Sequence, residues 1–162
     1  MQRLLLLRHA TAAAQGPEPG DRGRPLSARG LKEAAVAARW LLDNDAAPQV
    51  VLCSPSVRTR ETWDVIAPTF PDAAVHLHDD LYLGSVRAYL DAIDASEAAT
   101  VALIGHNPTC AALAGEFAGN GAAGAFRGHF PPAAICVAQR NGLADGWRLK
   151  AFVTPADAAG TR

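Results

Sequence analysis

Gln2-Arg3-Leu4-Leu5-Leu6-Leu7-Arg8-His9-Ala10 opens the chain, and the reading of these residues decides the fold. The run up to Leu7 is apolar and stops at Arg8. An apolar run of this kind suits a strand buried on both faces, as in a parallel sheet with helices on either side. The run is far too short for a membrane span or for the core of a signal peptide, and the arginine ends it at once.

Outward from this strand, two further runs have the same character: Val50 to Cys53, and Thr100 to Ile104, the latter stopped by Gly105. Helical patterns separate them. Ser27 is an N-cap for a helix reaching about Asn44, with Leu31, Ala34, Ala35, Ala38, Leu41 and Leu42 at helical spacing. Ser54-Pro55 opens a helix through about Ile66, with the proline early, where its missing N–H costs little. Ser85 to Ala95 places Val86, Tyr89, Leu90 and Ile93 on one face, and another helix runs from Thr109 to about Ala118. Val75 to His78 is a short strand. Ala133 to Gln139 and Trp147 to Val153 are two final strands joined by a turn at Asn141-Gly142. Loops rich in small residues occupy about Ala12 to Pro25 and Gly119 to Pro132. Trp40, Trp63 and Trp147 fall on faces that pack toward the core. Strands alternating with helices predict an α/β chain, a three-layer α/β/α sandwich around a mostly parallel sheet. One domain is expected over residues 1–155, with a loose tail over residues 156–162.

The bulk composition agrees with a single packed domain. The chain has 162 residues, 49% hydrophobic and 19% charged, which is enough apolar material for a core and too little charge for disorder. The net charge of -1 provides no basic field for nucleic acid or a membrane surface, so any bound anion must be held by a local cluster of positive groups. The three cysteines, Cys53, Cys110 and Cys136, are odd in number and far apart, which argues against a disulfide framework or a Cys-x-x-Cys metal site. They read as core thiols of a soluble, cytoplasmic protein.

Three of the predicted strands end in residues that suit one chemistry: Arg8-His9, then Ser54-Pro55-Ser56-Val57-Arg58, then Gly105-His106-Asn107. Ligand sites in α/β sheets lie beyond the carboxyl ends of the strands. A pocket built from these ends holds two guanidinium groups and two imidazoles. Arginine forks match the oxygens of a phosphoryl group. Arg58 falls in the first turn of its helix, whose free N–H groups also favour anions. A histidine in the middle can attack phosphorus and carry the group covalently, while a second stabilises charge on the equatorial oxygens. The positive side chains take the place of a metal, so neither metal nor cofactor is expected. Taken singly, each residue has an ordinary structural reading: Arg8 as a strand-end charge, Arg58 as a helix-surface residue like Arg60, His106 as part of a turn. Their coincidence at three strand ends carries the argument. His76 and His78 would share a strand face, but a closed metal site needs three or four ligands and no third is apparent. His129 is expected to be exposed in its loop.

The motifs Leu7-Arg8-His9-Ala10, Arg24-Pro25-Leu26-Ser27 with Arg29-Gly30, Ser54-Pro55-x-x-Arg58 with Glu61-Thr62, and Gly105-His106-Asn107 resemble those of the histidine phosphatase superfamily. That group contains cofactor-dependent phosphoglycerate mutases, acid phosphatases and SixA-like phosphohistidine phosphatases. The likeness spans roughly residues 2–118 with the motifs in the family's order, and the short chain suits the SixA-like subgroup. The resemblance implies a phosphoglycerate mutase-like fold, with His9 as the phosphorylated nucleophile and Arg8, Arg58 and His106 as the rest of the phosphate pocket. Thr11 and Asn107 adjoin the motifs as candidate hydrogen-bonding groups, and Arg24 is a rim or structural residue. Asp21 stands three positions before Arg24, where the subgroup places a candidate acid or base.

The mutase-like branch carries a glutamate acid in a longer segment after the second strand, and this chain has no counterpart. Asp79-Asp80 read as a strand-end turn. An alkoxide leaving group needs a proton far more than a phosphorylated imidazole does, because the P–N bond is labile. The resemblance and the weak acid equipment therefore favour phosphohistidine, carried on a partner protein. The rival within the enzyme class is a small-molecule phosphomonoesterase or mutase-like enzyme. The rival from another class is a non-catalytic module that binds phosphorylated partners.

Overall fold

Successive side chains of a strand point to opposite faces, so four leucines in a row bury both. In the computed structural model, which describes residues 1–119, 126 and 129–160, Gln2–Arg8 forms strand β1. Leu4 and Leu6 join one hydrophobic cluster, and Leu5 and Leu7 join the other. The remaining elements are α1 (Ala28–Asp43), β2 (Val50–Cys53), α2 (Val57–Ile66), β3 (Ala74–Leu77), α3 (Val86–Asp94), β4 (Thr100–Gly105), α4 (Thr109–Phe117), β5 (Ile135–Arg140), β6 (Arg148–Val153) and α5 (Pro155–Gly160). The six strands form one sheet in the order β3-β2-β4-β1-β5-β6. β3, β2, β4 and β1 run parallel, while β5 pairs antiparallel with β1, and β6 with β5.

The helices cover both faces. Tyr89 and Ile93 of α3 and Cys110, Leu113 and Phe117 of α4 pack against Leu4, Leu6, Leu52 and Leu103. Ala37, Ala38 and Leu41 of α1 and Trp63 and Ile66 of α2 pack against Leu5, Leu7, Val51 and Ile104. This is the expected three-layer sandwich with a mostly parallel sheet. Cys53, Cys110 and Cys136 are buried free thiols within it. Trp63 is buried, and Trp40 and Trp147 pack partly buried against the core. No helix among the described residues is long and apolar enough to cross a membrane.

Several local expectations change. Ser27 caps α1 as expected, its hydroxyl accepting from the Gly30 amide at 3.1 Å. The buried row of α1, however, is Gly30, Glu33, Ala34, Ala37, Ala38 and Leu41, whereas Leu31 and Leu42 are 48% and 49% exposed. Gly30 explains the rotation: it lies so close to the Thr11 carbonyl that any Cβ there would collide with it. Pro55 does not enter the first turn of α2. Ser54 still extends the sheet, its amide donating to the Ile104 carbonyl, and the helix starts at Val57 after the cap residue Ser56. His78 lies past the end of β3, so it does not share a strand face with His76. Ala133 takes a positive φ of 58° and donates its amide to the Arg8 and His9 carbonyls, so β5 begins only at Ile135. The β5–β6 connection is not a tight turn at Asn141-Gly142. Residues 141–147 form a longer loop, because the Trp147 ring leaves the strand to stack at 4.4 Å on the Arg140 guanidinium. Within the expected tail over residues 156–162, Pro155–Gly160 forms a helix, capped by the Thr154 amide and hydroxyl bonding the Asp157 carboxylate, and residues 161–162 lie outside the described residues. Most of the expected Gly119–Pro132 loop lies outside the described residues. Within it, His129 is exposed and Phe130 is buried.

The two sides of the correction on α1 separate experimentally. Leu41→Ala, on the buried row, should destabilise the protein by about 2–5 kcal/mol in urea unfolding, the range for a fully buried leucine. Leu31→Ala, on the exposed row, should stay within about 0.5 kcal/mol of the parent protein.

Candidate active site

The parallel register sets where the chemistry sits. Leu7 of β1 pairs with Ile104 of β4, and Ile104 with Cys53 of β2, so the three strands end at one level. The His9 amide donates to the Gly105 carbonyl at 3.0 Å, and the Ser54 amide to the Ile104 carbonyl at 3.1 Å. His9, His106 and the first turn of α2 are thereby brought to one edge of the sheet.

His9 is buried to 8% exposure. Its Nδ1 lies 2.7 Å from the Ala10 carbonyl, which can only accept, so Nδ1 carries the hydrogen and Nε2 keeps its lone pair. The Arg58 Nε–H donates to that Nε2 at 3.3 Å. Buried polar groups fix the segment after His9. The Thr62 hydroxyl accepts from the Ala10 amide at 3.0 Å and donates to the Arg58 carbonyl at 2.7 Å. The Glu33 carboxylate accepts from the Thr11 amide at 2.9 Å, and the Thr11 carbonyl accepts from Ser27. Thr11 thus enters the site's surroundings through its backbone.

His106 is equally buried, its ring centroid 5.3 Å from that of His9. Its Nε2 lies 2.7 Å from the Ser54 hydroxyl, which can either donate or accept. Its amide donates to the Tyr89 hydroxyl at 2.9 Å, and that hydroxyl in turn donates to the Leu81 carbonyl. Gly105 packs so tightly on the Tyr89 ring that a side chain there would collide with it. Arg58 is 6% exposed; its Nη2 reaches His106 Nδ1 at 3.5 Å, and its Nη1 and Nη2 donate to the carbonyl and carboxylate of Asp21 at 2.6 and 2.9 Å.

Arg8 and Asn107 converge on one acceptor, the Phe130 carbonyl, at 2.9 and 3.0 Å. The Arg8 Nε and the Asn107 Oδ1 are buried and have no hydrogen-bond partner among the described residues. Arg24 sits at the rim, bonding the Ala13 carbonyl and the Asp21 carboxylate. The structure therefore gathers His9, Arg58 and His106 directly, places Arg8 beside them, and sets Asp21 on the outer side of Arg58. Glu33 and Tyr82 were missed by the motif reading. Glu33 was detectable as a charged residue on the row of Gly30, Ala34 and Ala37. Tyr82 packs edge-on against His106 at 5.6 Å and donates to Asp21 at 2.9 Å, contacts that only the folded chain creates.

The electrostatics follow from burial among cations. Burial lowers the His9 pKa to about 4; the Ala10 hydrogen bond opposes this, and the Arg58, Arg8 and Arg24 charges add to the lowering. Burial, then the neighbouring His9 and Arg58, lower His106 to about 3. For Asp21, burial pushes upward, but the hydrogen bonds from Tyr82, Arg24 and Arg58 and the Arg58 charge win and hold it at about 2. At neutral pH the site thus presents two neutral imidazoles, one with a lone pair facing an arginine fork. Such an arrangement can receive a tetrahedral anion and attack its central atom.

Comparisons with known proteins show the family. The model of the histidine phosphatase superfamily (branch 1) matches residues 4–82. An uncharacterized protein of Mycobacterium tuberculosis is 35% identical over 139 residues, covering 81% of this chain and 85% of its own. The phosphohistidine phosphatase SixA of Escherichia coli K12 is 29% identical over 119 residues, covering 70% and 73%. The crystal structure of a protein assigned as the phosphohistidine phosphatase SixA of Agrobacterium tumefaciens is similar with a TM-score of 0.84 at 31% identity, covering 95% of this chain and 98% of that one.

The imidazole assignments are testable by NMR titration. In the ligand-free protein, His9 and His106 should stay neutral well below pH 6, and removing the Arg58 charge with Arg58→Ala should raise the pKa of His9. Unfolded imidazoles titrate near 6.5, so between there and about pH 4 the unfolded chain binds protons that the folded site refuses. Stability should therefore fall as pH drops through that window. His9→Ala, by removing one of the two imidazoles, should flatten the decline.

Proposed function

Because the chain belongs to the histidine phosphatase superfamily, we propose that it is a phosphohistidine phosphatase of SixA type that works through a phosphoenzyme on His9. One observation carries this reading: the unprotonated Nε2 of His9 faces the Arg58 Nε–H, with His106 alongside. In the first step His9 Nε2 attacks phosphorus in line, forming a P–N bond as the substrate's P–N bond breaks. The departing imidazole keeps the electron pair and takes its proton from solvent. Arg58, Arg8 and His106 hold the three equatorial oxygens. The Ser54 hydroxyl can play either part: accepting from Nε2 it leaves Nδ1 as an acceptor for Arg58, and donating to Nε2 it lets the neutral His106 ring carry its hydrogen on Nδ1 and donate it to the phosphoryl group. In the second step water attacks the phosphorus of phospho-His9, releasing inorganic phosphate and restoring the neutral imidazole. The guanidinium groups supply the positive charge that a metal supplies in other phosphoryl-transfer sites, so no metal is required.

The leaving group follows from the carboxylate. Asp21 is held as an anion by Tyr82, Arg24 and Arg58 and has no proton to give at neutral pH. A labile P–N bond tolerates that, whereas a phosphate ester with an alkoxide leaving group does not. The E. coli relative, named a phosphohistidine phosphatase, points the same way. The three buried free thiols suit a reducing compartment such as the cytoplasm.

Rapid-quench labelling with a radiolabelled phosphohistidine protein should trap phosphate on His9 in an acid-labile, base-stable linkage. His9→Ala should lose turnover by roughly a thousandfold or more, the scale expected when a covalent nucleophile is removed. Near-normal turnover in His9→Ala would sink the proposal. Faster hydrolysis of phosphoglycerate or sugar phosphates than of phosphohistidine would shift it to a small-molecule phosphomonoesterase. Phosphate binding with no hydrolysis of any substrate would favour a binding module.

A further inference from the structure

We infer that Asp21 is a positioning residue and not a proton donor: it grips the outer end of the Arg58 guanidinium and so turns the inner edge of that fork toward the phosphoryl site. This rests on the phosphatase reading of the same pocket. A guanidinium presents two bidentate edges, the Nη1–Nη2 end and the Nε–Nη2 side. Here each edge has a separate task. The end donates to the Asp21 carbonyl at 2.6 Å and to its Oδ2 at 2.9 Å. The side faces His9 Nε2 at 3.3 Å and His106 Nδ1 at 3.5 Å. The first pair is short and partly charge-assisted; the second is long and made to neutral acceptors, so a phosphoryl oxygen arriving between the rings replaces it at little cost.

The carboxylate itself is locked. Oδ2 accepts from Tyr82 and Arg58, and Oδ1 from Arg24, so three of the roughly four lone-pair sites of the carboxylate are engaged by donors that favour its charged form. Tyr82 is braced in turn. Its ring stands edge-on to His106, and the Arg22 guanidinium lies 5.3 Å from the ring centroid while pairing with Asp79 at 2.7 Å. The chain Asp79–Arg22–Tyr82–Asp21–Arg58 thus runs from the loop after β3 into the pocket. The Asp21 spacing that suggests an acid or base instead places a carboxylate behind the arginine.

The two roles leave different kinetic traces. A proton donor matters in proportion to the basicity of the leaving group; a positioning group matters equally for every substrate. The test measures kcat/KM on aryl phosphates of graded phenol acidity and on phosphohistidine, for the parent protein, Asp21→Asn, Asp21→Ala and Tyr82→Phe. Expected is a uniform loss of about tenfold in Asp21→Ala and a smaller loss in the other two, with an unchanged slope against leaving-group pKa. In an Arg58→Lys background, which has no fork to orient, Asp21→Ala should cost little more. A steeper slope in Asp21→Asn, or full additivity with Arg58→Lys, overturns the inference. If the parent protein hydrolyses nothing, the phosphatase reading fails by itself. Calorimetry with inorganic phosphate then decides the positioning role: weaker binding in Asp21→Ala sustains it and unchanged binding overturns it.

Discussion

The His9 amide donates to the carbonyl of Gly105, and the Ser54 amide donates to that of Ile104. These two sheet bonds make β1, β4 and β2 end at the same level, and every contact in the pocket depends on that alignment. Had β1 slipped by one residue against β4, Leu4 and Leu6 would exchange faces with Leu5 and Leu7, and His9 would point away from His106. The register is held from both sides because the leucines of β1 are buried in two separate clusters. The same apolar burial that stabilises the sheet therefore aims His9.

Beyond the strand ends the chain must turn away while still partly buried, and its backbone groups need partners there. Polar side chains set into the apolar layers supply them. Thr62 receives the Ala10 amide, Glu33 the Thr11 amide, Tyr89 the His106 amide, and Thr59 bonds the Ser54 carbonyl. Each belongs to a helix that also packs on the sheet, so helix packing and loop geometry are a single constraint. Gly30 and Gly105 belong to the same constraint, since a side chain at either would strike the Thr11 carbonyl or the Tyr89 ring.

Charge within the pocket obeys a related logic. Burial and nearby guanidinium groups keep both imidazoles unprotonated, which leaves a lone pair on His9 at neutral pH. Hydrogen bonds from Tyr82, Arg24 and Arg58, with the Arg58 charge, hold Asp21 as an anion. A lone pair on His9 and an anionic Asp21 together suit the proposed phosphohistidine substrate, whose bond to phosphorus is already labile.

Much of this was legible in the residues. The unbroken run through Leu7 specified a strand buried on both faces, because no period other than complete burial accommodates it. The residues closing the three central strands announced a phosphate chemistry, since arginines and histidines there have few other shared purposes. What Asp21 does was not legible. Spacing places it near the pocket, but whether a carboxylate donates a proton or braces an arginine depends on which atoms surround it. Those atoms come from Tyr82 and Arg24 as well as Arg58, and Tyr82 lies 61 positions away in the chain. The face of α1 and the roles of Glu33 and Tyr82 were likewise decided by tertiary contact. Local sequence determined which elements form and which chemistry the strand ends could hold. Only packing between distant segments determined which polar groups meet, because hydrogen-bond geometry is a property of three-dimensional neighbours and not of spacing along the chain.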